Sequence, residues 1–478
     1  MSRVLIVNAP FRSRQPSVHR CELLGIEYLA ASVRAAGHEA WVWDPTLIEP
    51  QIGKDGCYYW GPSESVVNGR IRSIEPDVVG ISCHYGFAAD YAFAVARQAK
   101  AISGSIRTVM GGLFVSVFRS RVLQECEALD FGLIGEAEDA FPALLELLQA
   151  GESAWEKIDG LCWRQDGRIR ENPKTQFIAE LDRIPLPARD LVDLRAYMHG
   201  SQVKRLYGLG FRPALSLLTS RSCPYGCTFC NMKLVHGPRW RGRSVESVVQ
   251  ELEEITARYR AEHVFVMDDN FLLKPDRAKA ICQEVVRRKL RFRWNTPNGI
   301  SAKGMDAELA DLMKASGCAN VCIAIESGDE RMRTEVMNKK VSDSEIAHAV
   351  ECLRRAQIPV VGFVIVGMPG EDDRSFRQSV RFLKSLPLTS LVVSFAVPFP
   401  GTRLYEQLVA DGTIGRDARF AADDLNVPVF ARPEFSTEEL IRRKEILKSM
   451  FSGLGVLFEL EKAAEESQRV RFSSGGLP

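Results

Sequence analysis

The stretch Arg221-Ser-Cys223-Pro-Tyr-Gly-Cys227-Thr-Phe-Cys230-Asn-Met232 puts three thiols within eight positions, with Pro224 and Gly226 to turn the chain between them. Thiolates so placed suit an iron–sulfur cluster or zinc. On a 4Fe–4S cluster three cysteines leave one iron unliganded, and that iron can chelate a small molecule through an amine and a carboxylate. Zinc would need a fourth ligand, for which His236 stands six residues after Cys230. Structural zinc sites usually bring two close cysteine pairs, and a second pair is missing from this sequence.

The cysteine stretch follows the apolar run ALSLLTS (214–220), the first of six strand-like runs. The others are HVFVMDD (263–269), RFRWNTP (291–297), NVCIAIES (320–327), PVVGFVIVG (359–367) and SLVVSFAVP (390–398). Segments of helical period stand between them, such as 244–259 and 305–317. Six βα units predict a partial parallel barrel over 205–405, whose working residues lie at the C-terminal strand ends and in the loops after them. Every unusual polar cluster of this half falls there.

Upstream, RVLIVNAP (3–10), EAWVWDP (39–45), DVVGISC (77–83), RTVMGG (107–112) and FGLIGE (131–136) read as five strands. Helical segments at 23–38, 64–74, 88–103, 118–128 and 141–151 alternate with them. This α/β pattern predicts a doubly wound parallel sheet over 1–151. Residues 152–204 read as a connector, with an Asp166-Gly167 hairpin and the proline-bearing LDRIPLPARDLVDL. Residues 406–478 read as a small, mostly helical region, with a capping box at Ser436 and Glu439 opening a helix to about 466 and a frayed FSSGGLP end.

The 46% apolar and 26% charged composition is that of a globular protein, and a net charge of +1 gives no global field for nucleic acid or anionic lipid. No apolar run reaches bilayer length and the N-terminus reads as a strand, so a cytoplasmic protein without membrane or nucleic-acid partners is expected. The remaining cysteines (Cys21, Cys57, Cys83, Cys126, Cys162, Cys282, Cys318, Cys322 and Cys352) are widely spaced and read as small buried hydrophobes.

Three thiols separated by three and two residues, with Phe229 before the last, resemble the signature of the radical S-adenosylmethionine superfamily. The resemblance implies a 4Fe–4S cluster on Cys223, Cys227 and Cys230, with Phe229 beside the adenine. It also implies reductive cleavage of S-adenosylmethionine to a 5′-deoxyadenosyl radical that abstracts hydrogen. Asp268 and Asp269 then fall near the methionine end of the cosubstrate. Glu326 and Ser327 correspond to the ribose- or amino-contacting segment, Gly367 to the adenine-side motif of strand five, and Pro398 to the turn after strand six. Taken singly these are weak, because Asp pairs cap helices and Gly-Pro runs make turns; their order on successive strands is what carries weight. Arg239, Arg241 and Arg243 read either as a solvated basic loop or as anchors for a carboxylate.

LLGIEYLAASVRAAGHEA, GISCHYG, VMGGLFVS and FGLIGEAEDAFPALLELL resemble the N-terminal Rossmann-like domain of the cobalamin-binding subfamily of these enzymes. Candidates for the ligand face are Asn8, Ser82, His84, Tyr85, Gly111, Gly112 and Gly135, the glycines allowing a flat macrocycle to approach the backbone. None of the seven histidines has Asp two residues before it, so ligation through the Asp-x-His-x-x-Gly motif is excluded. His84 is the histidine near the expected face, as a ligand or as a satisfied strand-end side chain.

The function so implied is cobalamin-dependent C-methylation of a small molecule, with an external electron donor. A cobalamin-independent radical dehydratase, epimerase or rearrangement enzyme on a sugar-like or other natural-product substrate is the alternative. A tRNA methylthiotransferase would be expected to add cluster cysteines and a basic tail. A zinc- or cobalamin-binding regulator would not need the polar clusters on strands two, four, five and six. No residue is singled out as catalytic.

Overall fold

Strand β1 sends Val4 and Ile6 to one side of a sheet and Leu5 and Val7 to the other, and all four are buried. A strand apolar on both faces belongs in the middle of a covered sheet. In the computed structural model, which describes residues 1–14, 22–84, 86–200, 213–420 and 422–451, that is where it lies. In chain order the N-terminal strands are β1 (Arg3–Asn8), β2 (Phe11–Ser13), β3 (Glu39–Trp43), β4 (Gln51–Ile52), β5 (Tyr58–Trp60), β6 (Val78–Ser82), β7 (Arg107–Gly111), β8 (Phe131–Leu133), β9 (Leu161–Gln165) and β10 (Arg168–Glu171).

The main sheet runs β10-β9-β8-β7-β6-β1-β3, and β2, β5 and β4 form a small antiparallel sheet beside it. The five expected strands pair in parallel. The 161–171 hairpin, placed by sequence in the connector, adds two antiparallel strands to the same sheet. Register aligns Asn8 with Ser82 and Ser82 with Gly111, so these three end their strands at one level. The helix expected over 118–128 is instead two short ones, Leu113–Phe118 and Arg121–Glu125, broken where Arg119 takes a left-handed φ of 54°.

The second sheet consists of β11 (Ala214–Leu217), then, after the short β12 (Ser220–Arg221) and β13 (Arg241–Gly242) ribbon, β14 (His263–Val266), β15 (Arg293–Ile300), β16 (Cys318–Glu326), β17 (Val360–Val366) and β18 (Ser390–Phe395). Its neighbours are consecutive and parallel, and β11 and β18 are its edges, so the barrel is open. Helices such as Val245–Ala257, capped by Ser244, and Ser342-capped Asp343–Arg355 cover its outside.

The C-terminal helix Thr437–Ser449 packs against β17 and β18. Ser436 Oγ accepts from Glu439 N–H, but the Glu439 side chain turns to Arg442 and Arg443, so the expected capping box is half formed. The extension towards 466, the FSSGGLP end, Cys21 and Tyr85 lie outside the described residues. No helix among the described residues is long and apolar enough to cross a membrane.

Candidate cluster site and interdomain cavity

The cysteine loop leaves the C-terminal edge of the barrel after β11 and is held from two sides. Thr228 N–H donates to Met337 O at 3.0 Å, and Asn338 Nδ2 to Gly226 O at 2.8 Å. Leu404 N–H donates to Thr228 O at 2.9 Å, and Arg403 also bonds Gly226 O. The segments after β16 and β18 therefore fix the loop between Cys223 and Cys230. The first of them contains a single π turn, Met332–Val336, a feature frequent at functional sites.

Cys223 and Cys227 are half-buried and Cys230 is exposed, and each thiol is near enough to the others for its charge to be felt. Burial pushes the Cys223 and Cys227 thiols up, Cys227 to about 12, while the Lys339 ammonium favours their thiolates. Asn270 Nδ2 stands 4.0 Å from Cys223 Sγ. Among the described residues no three His, Cys, Asp or Glu groups converge on a point that one metal ion would fill. Three thiols, each holding a different iron of a cluster, do not need to converge so closely. The donor set of three thiols, a cation and an amide donor fits an anionic iron–sulfur cluster.

The other barrel candidates line up along the same edge. Glu326, ending β16, takes a left-handed φ of 65° and pairs with Lys339 at 2.8 Å. A non-glycine residue in that region costs of order 1–3 kcal/mol and persists only when its surroundings hold it there. Ser327 Oγ meets Ser379 Oγ at 3.2 Å. Gly367 has φ 89° and donates to buried Glu371, which Arg443 pairs from the C-terminal helix. Pro398 is buried after β18, and Phe229 packs against the barrel core.

The two aspartates differ. Asp268 is buried and its carboxylate is taken up by Thr219 N–H at 2.6 Å and by the hydroxyls of Thr219 and Ser220, so it anchors the start of the cysteine loop. Asp269 accepts from Ser222 N–H at 2.9 Å.

Between the two sheets lies a cavity of about 310 Å³. Ser82, His84, Gly111, Gly112 and Gly135 line it from the strand ends of the N-terminal sheet. Leu218, Arg221, Met232, Val235, His236 and Met267 line it from the barrel. Gly112, at φ 99°, would bring a Cβ within 2.5 Å of Cys83 O, so only glycine fits. At Gly111 a Cβ would meet nothing nearer than Leu133 O at 3.9 Å, and at Gly25 nothing within 4 Å. The space beside these two glycines is thus open cavity, a cradle that suits the flat face of a macrocycle.

Asn8 is not part of this lining. Its Nδ2 donates to Asp44 at 3.0 Å, because the adjacent β3 ends with that carboxylate in reach.

His236 and the basic loop also differ from expectation. His236 Nδ1 lies 3.5 Å from Glu136, and Arg241 grips the same carboxylate with two bonds of 2.8 Å. Burial alone would raise the Glu136 carboxyl; His236, Arg241 and Arg221 together hold it well below the usual range. Arg243 is buried against Glu251 and Ser247. These two arginines are neither solvated nor free for a ligand carboxylate; only Arg239 is exposed. Sequence gave no sign of Glu136, since its partners lie 85 to 105 positions away. Of the isolated cysteines, Cys57 is half-exposed beside an open groove of about 670 Å³, while the other described ones are buried.

The profile of the Radical SAM superfamily matches residues 217–383, and that of the B12 binding domain matches residues 17–145. An uncharacterized methyltransferase of Pyrococcus horikoshii is 28% identical over 94% of each chain. The cytidylyl-2-hydroxyethylphosphonate methyltransferase of Streptomyces wedmorensis is 28% identical over 86% of this chain and 82% of its own. The solved structure of TsrM from Kitasatospora setae, a radical S-adenosylmethionine methyltransferase with cobalamin and a [4Fe-4S] cluster bound, superposes with a TM-score of 0.69. It is 21% identical, covers 87% of this chain and 80% of its own, and at that identity it speaks for the fold. The chain belongs to the radical S-adenosylmethionine superfamily, in the subfamily that carries a B12-binding domain ahead of the radical domain.

Proposed function

We propose that the protein is a cobalamin-dependent radical S-adenosylmethionine methyltransferase that methylates a carbon centre of a small molecule. The observation that carries this is the glycine-cradled cavity lying between the N-terminal sheet and the cysteine-bearing barrel. When bound, a 4Fe–4S cluster supplies the electron that cleaves S-adenosylmethionine to methionine and a 5′-deoxyadenosyl radical, and a corrin carries the methyl group.

The residues of the chain then have the following tasks. Cys223, Cys227 and Cys230 would hold the cluster through three of its irons, and the clamp on Gly226 and Thr228 would keep their loop in place. Phe229, Asp269, Glu326, Ser327, Gly367 and Pro398 surround the cosubstrate, with Asp268 holding the loop in place. Ser82, His84, Gly111, Gly112 and Gly135 face the corrin. On this reading residues 1–151, extended by the 161–171 hairpin, form the corrin domain, and 205–405 the radical domain. The substrate is a small molecule, in line with the cytidylyl-2-hydroxyethylphosphonate methyltransferase of Streptomyces wedmorensis, and the electron comes from an external donor.

Anaerobic reconstitution with iron and sulfide, addition of hydroxocobalamin and desalting is the test. Retained cluster and corrin bands, followed by 5′-deoxyadenosine and S-adenosylhomocysteine once S-adenosylmethionine and a reductant are supplied, are the expected result. Cys227→Ser should lose iron and 5′-deoxyadenosine yet keep the corrin. A wild-type protein that retains no corrin, or releases no 5′-deoxyadenosine, overturns the reading.

A further inference from the structure

Asn270 follows β14 by four residues and stands between two pieces of chain that are already tied down. Before it, Asp268 takes up Thr219 and Ser220, and Asp269 accepts from Ser222 N–H at 2.9 Å. After it, Phe271 and Leu272 are buried in the barrel core, Phe271 meeting Trp294 edge-on at 5.7 Å. The Asn270 backbone is thereby fixed against the start of the cysteine loop, and the residue is only 2% exposed.

Its amide is delivered to one place. Nδ2 lies 4.0 Å from Cys223 Sγ, at the long end of an N–H···S contact with a neutral thiol. A thiolate accepts more strongly and draws the donor in. The opposite orientation of the amide would set Oδ1 against the sulfur, two electron-rich atoms with no proton between them. Oδ1 is buried and meets no donor among the described residues. A buried oxygen left so costs about 1–3 kcal/mol, so packing alone would favour leucine here over asparagine. Tyr225 N–H also favours the Cys223 thiolate, but that is a main-chain donor which almost any residue supplies. Asn270 offers a side-chain donor, which a substitution can remove. Hydrogen bonds to the sulfurs offset the negative charge that reduction adds to a cluster, and so raise its potential.

We propose that Asn270 is a positioning residue that acts through the Cys223 sulfur to raise the reduction potential of the cluster. The assignment rests on the reading of Cys223, Cys227 and Cys230 as cluster ligands. Asp268 and Asp269 hold the loop in place, and Asn270 between them and the core sets how readily the cluster takes the electron. Lys339 supports two of the thiolates by charge; the Asn270 contribution is directional and belongs to one sulfur.

The test is a redox titration of the reconstituted full chain, followed by electron paramagnetic resonance of the reduced cluster. Asn270→Leu keeps the size and removes the donor. It should keep wild-type iron and sulfide contents and lower the reduced-to-oxidised ratio at a fixed potential about tenfold, which is about 59 mV for one electron. Asn270→Asp, which puts a negative charge beside the sulfur, should lower the ratio further. A second measurement is made on wild-type protein and needs no variant to take up iron. Asparagine labelled with heavy nitrogen at the side-chain amide should give a nitrogen coupled to the reduced cluster in electron–nuclear double resonance. Asn231 and Asn338 direct their amides to Pro400 O and Gly226 O, so the coupling should vanish in Asn270→Leu. An unmoved potential in Asn270→Leu, or a wild-type spectrum without the labelled coupling, overturns the assignment alone. Wild-type protein that takes up no cluster overturns the cluster reading beneath it as well.

Discussion

Arg189 Nε lies 2.5 Å from Glu22 Oε1, and both side chains are shut away from water. This pair joins the connector to the entrance of the N-terminal helix Leu24–Ala35. The same guanidinium reaches Glu251 at 2.8 Å and donates to Ser216 O at 2.9 Å, while Glu22 accepts from Ser216 N–H at 2.7 Å. One buried cation thus stitches the corrin-side domain to the first strand and first helix of the barrel. Glu22 of this seam also lines the cavity between the domains.

Arg189→Met should therefore destabilise the protein by about 3–5 kcal/mol, because Glu22 and Glu251 would stay buried and, among the described residues, one paired cation, Arg243, would be left for Glu251. Urea unfolding reads this as a lower midpoint. Arg189→Met combined with Glu22→Gln should recover part of the loss, since the double change removes the uncompensated charge. A single variant as stable as wild type would mean that the seam is not what holds the domains.

Glu27, beside this seam, is fully buried, with no N–H or hydroxyl donor for its oxygens among the described residues and the Glu22 carboxyl within hydrogen-bonding reach. Burial first, and then the Glu22 charge, raise its carboxyl well above the ordinary 4.5. A carboxyl whose folded value is raised binds more protons folded than unfolded, so its cost is absent below about pH 4.5 and grows as pH rises towards the folded value. Glu27→Gln removes that cost. Thermal unfolding should show the variant level with wild type near pH 4 and more stable at neutral pH, with a flatter decline between. Equal curves at all pH values would place the proton elsewhere.

Much of the site was legible because its chemistry is local in sequence. Three thiols close along the chain are readable as a cluster motif, and Gly112 marks a place where a side chain does not fit. The seam was not legible. Arg189 and Glu22 are 167 positions apart, and Arg241 and Glu136 are 105 apart, so no periodicity connects them. Charged residues carry no signal of their own burial; Arg241 and Arg243 read as a basic loop and are part of the interior. Asn8 stands at the right level of the sheet, yet its amide is bound by Asp44, a contact that depends on which strand lies beside β1. The helix expected over 118–128 breaks at Arg119, whose guanidinium turns to Glu171 in the hairpin that joins the sheet.

The two adjacent glycines should respond to substitution in opposite ways. Gly111→Leu places its side chain in open cavity, so the fold should hold within about 1 kcal/mol while retention of hydroxocobalamin after desalting is lost. Gly112→Ala collides with Cys83 O at a left-handed φ and should cost on the order of 1–3 kcal/mol before any ligand is added. Corrin retained by Gly111→Leu would show that the macrocycle does not lie on this edge.

Lys339 is mostly buried, 2.8 Å from Glu326, and its charge acts on Cys223 and Cys227. A cation beside a cluster stabilises the reduced, more negative state. Lys339→Met should therefore leave iron content unchanged but shift the cluster midpoint to a more negative potential by tens of millivolts, where about 59 mV is a tenfold change in a one-electron equilibrium. Formation of 5′-deoxyadenosine should slow with it, because fewer clusters carry the electron at a given reductant potential. Lys339→Arg, which keeps the charge and reaches the same carboxylate, should restore most of the potential. A purely structural role through the strained Glu326 would predict the reverse pattern: lost iron or lowered unfolding temperature with the potential unmoved. A redox titration of the two reconstituted variants, followed by iron analysis of the same samples, separates the two.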